Sequence, residues 1–387
     1  MSLRTRAPER AVTVSGTSAR IRMAAVRMDW LLIAAALVLS VLGCVLVWSA
    51  TQSTDGAGPA RRQALSLVIA VFLAFAVTRV EARALRGYAM LGYACSLLLL
   101  LLPFTPMGIS ISGARAWVAV PGGFTLQPSE FAKLALILAL ASVLVGDRPR
   151  LVQPGVREVA AALGVAGVPV LIVLAQRDTG TALVMVGITG AMLLVAGVPR
   201  VWLAALAGTA ITVGVLAWRL GALADYQIAR FRSFLDPASD ALGSGHNTLQ
   251  ARTAIGAGGL FGSGLFSGPQ TQGGFVPVND SDFIFTVAAE ELGFVGALAL
   301  VVALAVVCWR GLRTASEALD LFGRLVAVGC VAWFAFQGFE NIGMNLGLMP
   351  VTGVTLPFVS YGGSSLIATW LGIGLLQLVR LASGRSS

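Results

Sequence analysis

The ionisable and amide side chains that could do chemistry in this 387-residue chain collect in four short clusters. The first is Gly113-Ala114-Arg115-Ala116-Trp117, followed by Gln127-Pro128-Ser129-Glu130-Phe131-Ala132-Lys133. Pro128 suits the first position of a helix, and Glu130 and Lys133, three apart, then share a helical face. Either they form a self-contained ion pair or the lysine is aimed at one buried carboxylate. The second reading is preferred, because Lys133 is the only lysine among 27 basic residues. An ammonium is a compact point charge, whereas a guanidinium suits planar, bidentate partners. The second cluster is Gln176-Arg177-Asp178-Thr179-Gly180-Thr181, in which Asp178 either caps a helix or braces a site. The third is Val276-Pro277-Val278-Asn279-Asp280-Ser281-Asp282-Phe283-Ile284-Phe285, leading to Glu290-Glu291-Leu292-Gly293. Asp282 stands where a helix begins, and there it either serves the helix dipole or accepts a proton as a general base. Asp280 has the same dipole alternative. Glu290 lies eight residues further on, about 12 Å along a helix, and is expected to brace helices or meet a buried polar partner. The fourth cluster holds Gln337, Glu340, Asn341 and Asn345, then Leu356-Pro357-Phe358-Val359-Ser360-Tyr361-Gly362-Gly363-Ser364-Ser365. Asn341 and Asn345, four apart, share a helical face. The Gly-Gly-Ser-Ser stretch offers N–H groups and hydroxyls for a phosphate, or small residues for close helix packing. It lacks a Walker lysine and any G-x-G-x-x-G pattern, which excludes a nucleotide loop.

The elements that must position these clusters are apolar. The chain is 57% hydrophobic and only 12% charged, with a mean hydropathy of +0.85. A soluble domain carries about 25% charged residues, so soluble enzymes, β-sandwiches and disordered chains are excluded. The net charge of +9 does not read as a nucleic-acid face, because the arginines are scattered between apolar runs, as in membrane-protein loops. A single histidine, His246, excludes a His-rich metal site. The four cysteines lie inside apolar runs without C-x-x-C spacing and read as small buried hydrophobes. A membrane helix needs roughly 20 apolar residues, and ten such runs are centred near residues 40, 71, 95, 137, 167, 189, 209, 296, 332 and 370. Arginine clusters (Arg22 and Arg27; Arg79, Arg83 and Arg86; Arg148, Arg150 and Arg157; Arg200; Arg310, Arg313 and Arg324; Arg380 and Arg385) all fall on one side if all ten runs span.

The expected fold is therefore an all-α polytopic membrane protein of about ten transmembrane helices with both termini cytoplasmic. An Arg-rich tail covers 1–28, a transmembrane domain 29–381 and a short tail 382–387. The first run is too long for a signal-peptide core and lacks a cleavage site, so it is expected to remain as a helix. One long extracytoplasmic loop, about 221–281, joins the seventh and eighth helices. Its stretch from Gln250 to Phe275 mixes apolar residues with glycines and is expected to lie on the membrane or fold back into the bundle. Polar residues inside a bilayer default to functional hypotheses, and here they gather at the outer boundary.

At these clusters the sequence resembles the SEDS family of membrane peptidoglycan polymerases over nearly the whole chain, from Asp29-Trp30 to the last helix. The carrying motifs are Gln127-Pro128-Ser129-Glu130-Phe131-Ala132-Lys133, Ser281-Asp282-Phe283-Ile284-Phe285 with Glu290-Glu291-Leu292-Gly293, and Phe358 to Ser365. Gly268-Pro269-Gln270-Thr271-Gln272, Gly245-His246-Asn247 near Gln250, and Asp29-Trp30 bring it nearer the rod-shape branch than the division branch. The resemblance implies glycosyl transfer on lipid II at the outer leaflet of the cytoplasmic membrane. A growing glycan strand is extended, undecaprenyl pyrophosphate is released, and a class B penicillin-binding protein is the partner. It implies that Asp282 is the essential aspartate, Lys133 its partner and Trp117 the loop tryptophan. Arg115, Gln127, Glu130, Asp178, Gln250, Ser360, Gly362, Gly363, Ser364 and Ser365 are the expected substrate-binding residues. Ala116 stands where the family commonly has a basic residue, which weakens a phosphate role for Arg115. Asp280 replaces a frequent histidine, and a second acid there raises the proton affinity of Asp282 by like-charge repulsion.

The expected mechanism is an in-line displacement with inversion, with Asp282 as base for the acceptor hydroxyl. Lys133 orients Asp282 or contacts pyrophosphate, and Trp117 packs on a sugar face or sits in an interfacial belt. The anionic leaving group calls for cations: outer arginines, and room for a divalent ion such as Mg2+ or Mn2+. Two rival classes are a lipid II flippase, against which stand the boundary position of the polar groups and the lack of a repeat, and a non-catalytic scaffold for a wall synthase.

Overall fold

The computed structural model describes residues 27–111, 113–120, 124–146, 153–221, 228, 230, 233–236 and 244–383. Most of the 1–28 tail, most of the stretch 221–243, Arg148, Arg150 and residues 384–387 lie outside the described residues. Ten long helices stand in the ten expected places: α1 (Trp30–Thr51), α2 (Gly58–Val77), α3 (Ala82–Leu101), α4 (Pro128–Val145), α5 (Val156–Ala175), α6 (Thr179–Val195) and α7 (Arg200–Arg219), then, beyond two shorter helices α8 (Ser244–Gly258) and α9 (Pro269–Gln272), α10 (Ile284–Glu317), α11 (Leu321–Asn345) and α12 (Gly363–Ser383). Eight are long and apolar enough to cross a membrane, and α6 and α7 supply shorter apolar stretches, Thr179–Val195 and Arg200–Leu216. The chain is a multi-pass helical membrane protein.

Local chemistry starts several of these helices. Asp29, Asp178 and Asp320 each accept a backbone N–H of the first turn, from Leu32, Thr181 and Gly323, the standard satisfaction of an otherwise orphaned donor. Pro128 opens α4, where its missing N–H costs nothing. α4, α11 and α12 form the buried centre, while α2, α3, α5 and α10 turn side chains such as Phe72, Leu98, Leu171 and Phe294 outward, as lipid contact requires.

Contacts sort the helix ends into two sets. At one end Asp29, before α1, exchanges hydrogen bonds with Gln377 of α12 and pairs with Arg310 of α10 at 2.6 Å. There too Arg86 of α3 donates to Gly146 O beyond α4. At the other end Gln63 of α2 meets Ser360 O before α12, Gln127 before α4 meets Ser364, and Asn341 of α11 meets Asp282 O before α10. The start of α1 and the end of α12 thus share a face, opposite the polar clusters.

One feature goes beyond the sequence reading, and another decides between two alternatives it left open. The gap between α3 and α4, expected as a plain loop, carries an antiparallel sheet of order β1 (Gly108–Ile111), β2 (Ala114–Val120) and β3 (Phe124–Leu126). The period of two in β2 turns Ala116 and Val118 into the protein and leaves Arg115 exposed. The long loop folds back: Gly259 and Leu260 accept from the N–H groups of Phe294 and Val295 of α10. α10 permits this because Gly293 breaks its helical geometry, with φ 71° and ψ −171°. A Cβ there would collide with the backbone of Leu260 to Gly262.

Candidate active site

A cavity of about 260 Å³ opens at the end where the polar clusters meet. Trp117, Thr125, Gln127, Glu130, Asp282 and Ser364 are among its lining residues, together with Asp280, Ser281, Gln337, Thr355 and Gly362, Gly363 and Ser365. The sheet supplies one wall, the head of α4 another, the connection before α10 a third and the approach to α12 the fourth. Among the described residues no lysine or arginine lines it.

Asp282 is half-buried on this wall. Its carboxyl holds a proton up to about pH 6, well above the ordinary carboxylate range. Burial is the main cause; Asp280 and Asp178 add repulsion, while the Ser281 hydroxyl and Arg230 oppose it. The expectation that Asp280 raises Asp282 holds in direction, but desolvation is the larger effect. Asp280 itself is raised by burial, with Asp55 adding to it. Gly353 faces the Asp282 carboxylate with a φ of +77°, a backbone conformation that glycine adopts freely.

Lys133 is fully buried, and its Nζ lies 2.9 Å from Glu130 Oε1 and 2.7 Å from Gln337 Oε1, with the Trp333 ring 4.7 Å away. This is the intrahelical pair. Among the described residues no ion pair joins Lys133 to Asp282, so the preferred aim of the ammonium at a carboxylate outside its own helix is corrected. The reason is geometric: three residues on one α4 face bring the two groups together before any tertiary contact does. Gln337 in turn donates to Thr355 O and Oγ1, and Thr355 shares a hydrogen bond with Ser365. Lys133 thus reaches the pocket through Glu130 and Gln337, which line it.

Asp178 both caps α6 and accepts from Gln127 Nε2 at 3.3 Å, so both of its sequence readings are realised. Burial raises its proton affinity. Ser360 is buried between Leu356 N–H and Ser281 O; it holds the wall and does not line the cavity. Arg115 is exposed, donates to Thr105 O and bonds Gln176 O through its N–H, and lies outside the lining. Ala116, beside it, is fully buried. Gln250, half-buried on α8, is also not brought to the cavity. Glu290 accepts from the N–H groups of Gln270 and Thr271 and from the Thr271 hydroxyl; it braces α9, as expected. Sequence reasoning missed Gln63, a fully buried amide of α2 that bonds Ser360 O and Gly362 N. A lone glutamine in an apolar helix was its only signal. It singled out Gln337, Asn341 and Asn345 as polar residues but gave them no site role.

Among the described residues no group of three His, Cys, Asp or Glu side chains could by itself hold a metal ion.

The fold and pocket define a polytopic helical membrane protein with an acid-bearing cavity at one face. The sequence model of the FtsW/RodA/SpoVE cell cycle proteins matches residues 27–384, and the chain belongs to that family. It is 38% identical to stage V sporulation protein E of Bacillus subtilis, over 90% of this chain and 95% of that one. It is 36% identical to peptidoglycan glycosyltransferase MrdB of Escherichia coli, over 92% and 94%. A solved chain from a peptidoglycan synthase complex that coordinates polymerization and crosslinking superposes with a TM-score of 0.78 at 36% identity, covering 92% of this chain and 98% of that chain.

Proposed function

We propose that this chain is a peptidoglycan glycosyltransferase that polymerises lipid II at the outer leaflet of the cytoplasmic membrane, releasing undecaprenyl pyrophosphate, for cell elongation. The observation that carries the reading is Asp282, a carboxyl of raised proton affinity on the wall of a cavity built from the family's motifs. Family membership and the glycosyltransferase relatives support it.

In this reading Asp282 takes the proton of the acceptor 4-hydroxyl as that oxygen attacks the donor's anomeric carbon. The bond to the pyrophosphate breaks on the opposite face, with inversion. A proton affinity near pH 6 leaves the base ionised at neutral pH yet stronger than an ordinary carboxylate, as general-base catalysis favours. The cavity's described lining offers hydroxyls, amides and carboxylates, which suit a sugar, with Trp117 against a ring face. The pyrophosphate lies outside it, towards cations such as Arg230, which donates to Thr179 Oγ1 at 3.1 Å. A divalent ion such as Mg2+ would be held chiefly by the substrate's own phosphates and would neutralise the leaving group. Lys133 is a positioning residue that fixes Glu130 and Gln337.

The partner is a class B penicillin-binding protein, a reading supported by the solved synthase complex. The elongation role rests on Gly268 to Gln272, and depletion in a rod-shaped cell is expected to round the cells before division stops. Filaments would move the role to division.

The decisive assay is full-length chain with its partner synthase, transpeptidase blocked, and labelled lipid II, read as glycan polymer on a gel. Polymer from wild type and none from a folded, partner-bound Asp282→Asn is expected. Equal polymer from both would sink the general-base role. No polymer from a folded wild-type complex would favour the flippase or scaffold class.

A further inference from the structure

Resting on the glycosyltransferase reading, we propose that Asn341 and Asn345 of α11 are positioning residues that aim Asp282 by clamping its backbone carbonyl. Asn341 Nδ2 donates to Asp282 O at 2.8 Å and Asn345 Nδ2 to the same oxygen at 3.0 Å. A carbonyl oxygen has two lone pairs, and here both are filled from one helix face.

The local backbone explains why this carbonyl is free to be clamped. Phe283 is the N-cap of α10, so Asp282 O lies just before the helix and does not receive the N–H of Thr286. That N–H is instead taken by Phe283 O at 3.0 Å and by Asn345 Oδ1 at 3.2 Å, while the Thr286 hydroxyl donates to Asn345 Oδ1 at 2.7 Å. Asn345 therefore caps the first turn of α10 and at the same time holds the Asp282 carbonyl that precedes the helix. The two preceding carbonyls are held as well: Asp280 O by the N–H of Tyr361 at 2.9 Å, and Ser281 O by Ser360 Oγ at 2.6 Å. Three consecutive peptide oxygens are drawn to the α11–α12 side, which leaves the Asp282 side chain directed into the cavity.

The clamp is itself fixed. Asn341 also donates to Val354 O at 2.8 Å, Asn345 to Asn341 O at 2.8 Å, and both side chains are fully buried. A fully satisfied buried network is rigid, because any slip leaves an unpaired polar group in a dry interior. Helix packing alone needs no amides here; apolar side chains would fill the same space. What the amides add is control of one peptide plane, and with it the direction of the Asp282 Cα–Cβ bond. A reacting group displaced by about 1 Å loses on the order of 100-fold in rate.

The test uses the full chain with its partner synthase and lipid II, comparing wild type, Asn341→Leu, Asn345→Leu and Thr286→Val, each checked for thermal melting and partner co-purification. Leucine keeps the volume and removes the donors; Thr286→Val keeps both asparagines and removes one contact holding Asn345. The readouts are polymerisation kcat/KM and the position of its acidic limb. Asp280, Asp178, Arg230 and the Glu130–Lys133 pair, the charged groups around Asp282, are unchanged in every variant. The leucine variants are expected to lose on the order of 10- to 100-fold in kcat/KM. Their limb should move to lower pH, because an unclamped carboxyl swings towards water and loses its desolvation. A folded leucine variant with wild-type rate, or one that is slower with the limb unmoved, overturns the clamp and leaves Asn341 and Asn345 as packing residues. If the leucine variants do not fold, Thr286→Val decides: a smaller loss with the limb shifted the same way supports the clamp, and an unchanged profile overturns it. A wild type without polymer defeats the glycosyltransferase reading instead, and polymer from Asp282→Asn with the same limb defeats the general-base role on which the clamp rests.

Discussion

At the scale of single residues, burial sets the chemistry. Asp282 keeps its proton up to about pH 6, so its basic form is present above that value and lost below it. Polymerisation kcat/KM is expected to rise through about pH 6 and level off by neutral pH, and a limb at the ordinary carboxylate position would show a solvated side chain. Lys133 and Glu130 make a different prediction. Both are buried, and removing one partner leaves a charge in a dry interior, which costs about 3–5 kcal/mol. Lys133→Met alone should lower the melting temperature sharply, and adding Glu130→Gln should recover much of the loss. If the double variant melts no higher than the single, the pair is not an isolated unit.

At the scale of elements, two backbone irregularities decide where the site lies. α10 departs from helical geometry at Gly293, and Gly258 and Gly262 cross it so closely that a Cβ on either, or on Gly293, would collide with backbone. That crossing carries α8 and α9 into the bundle, and Glu290 then fixes α9 through three hydrogen bonds. Gly293→Ala combines the crossing collision with a positive φ that costs about 1–3 kcal/mol in a side-chain-bearing residue. It is expected to undock the loop, seen as new proteolytic cleavage within residues 255–275, while Gly190→Ala, with open space around it, should leave the cleavage pattern unchanged. The β-sheet acts in the same way on a smaller scale. Pairing of Ile109 with Trp117 and of Val118 with Leu126 holds Trp117 at the cavity rim and presents Gln127 at the head of α4.

At the scale of the whole molecule, the site is one end of a bundle whose opposite end is tied by charge. Asp29, buried, meets Arg310 at 2.6 Å and Arg380 at 3.5 Å, and Arg380 reaches Glu317 at 3.2 Å. These contacts join α1, α10 and α12, and α10 runs from this knot to Asp282. Asp29→Ala leaves Arg310 without its carboxylate and is expected to destabilise the protein by about 3–5 kcal/mol, measured as a lower melting temperature in detergent. Its surviving folded fraction should keep the wild-type pH limb, since nothing at the cavity changes. A shifted limb would show that the knot bears on Asp282 directly.

The all-α polytopic fold and the places of its long helices were legible in the sequence, because a bilayer enforces runs of apolar residues. The Glu130–Lys133 spacing, the capping role of Asp178 and the bracing role of Glu290 were legible as well, since each depends on local helix geometry and residue type. Convergence was not. That Arg115 and Gln250 stay away from the cavity, that Lys133 stops at Gln337, and that Asn341, Asn345 and Gln63 hold the walls all depend on which helix faces meet. Apolar helices in a bilayer have no strong hydrophobic preference for one another, so hydrophobic patterning does not encode their pairing. Only the packed bundle decided which buried amide found which carbonyl.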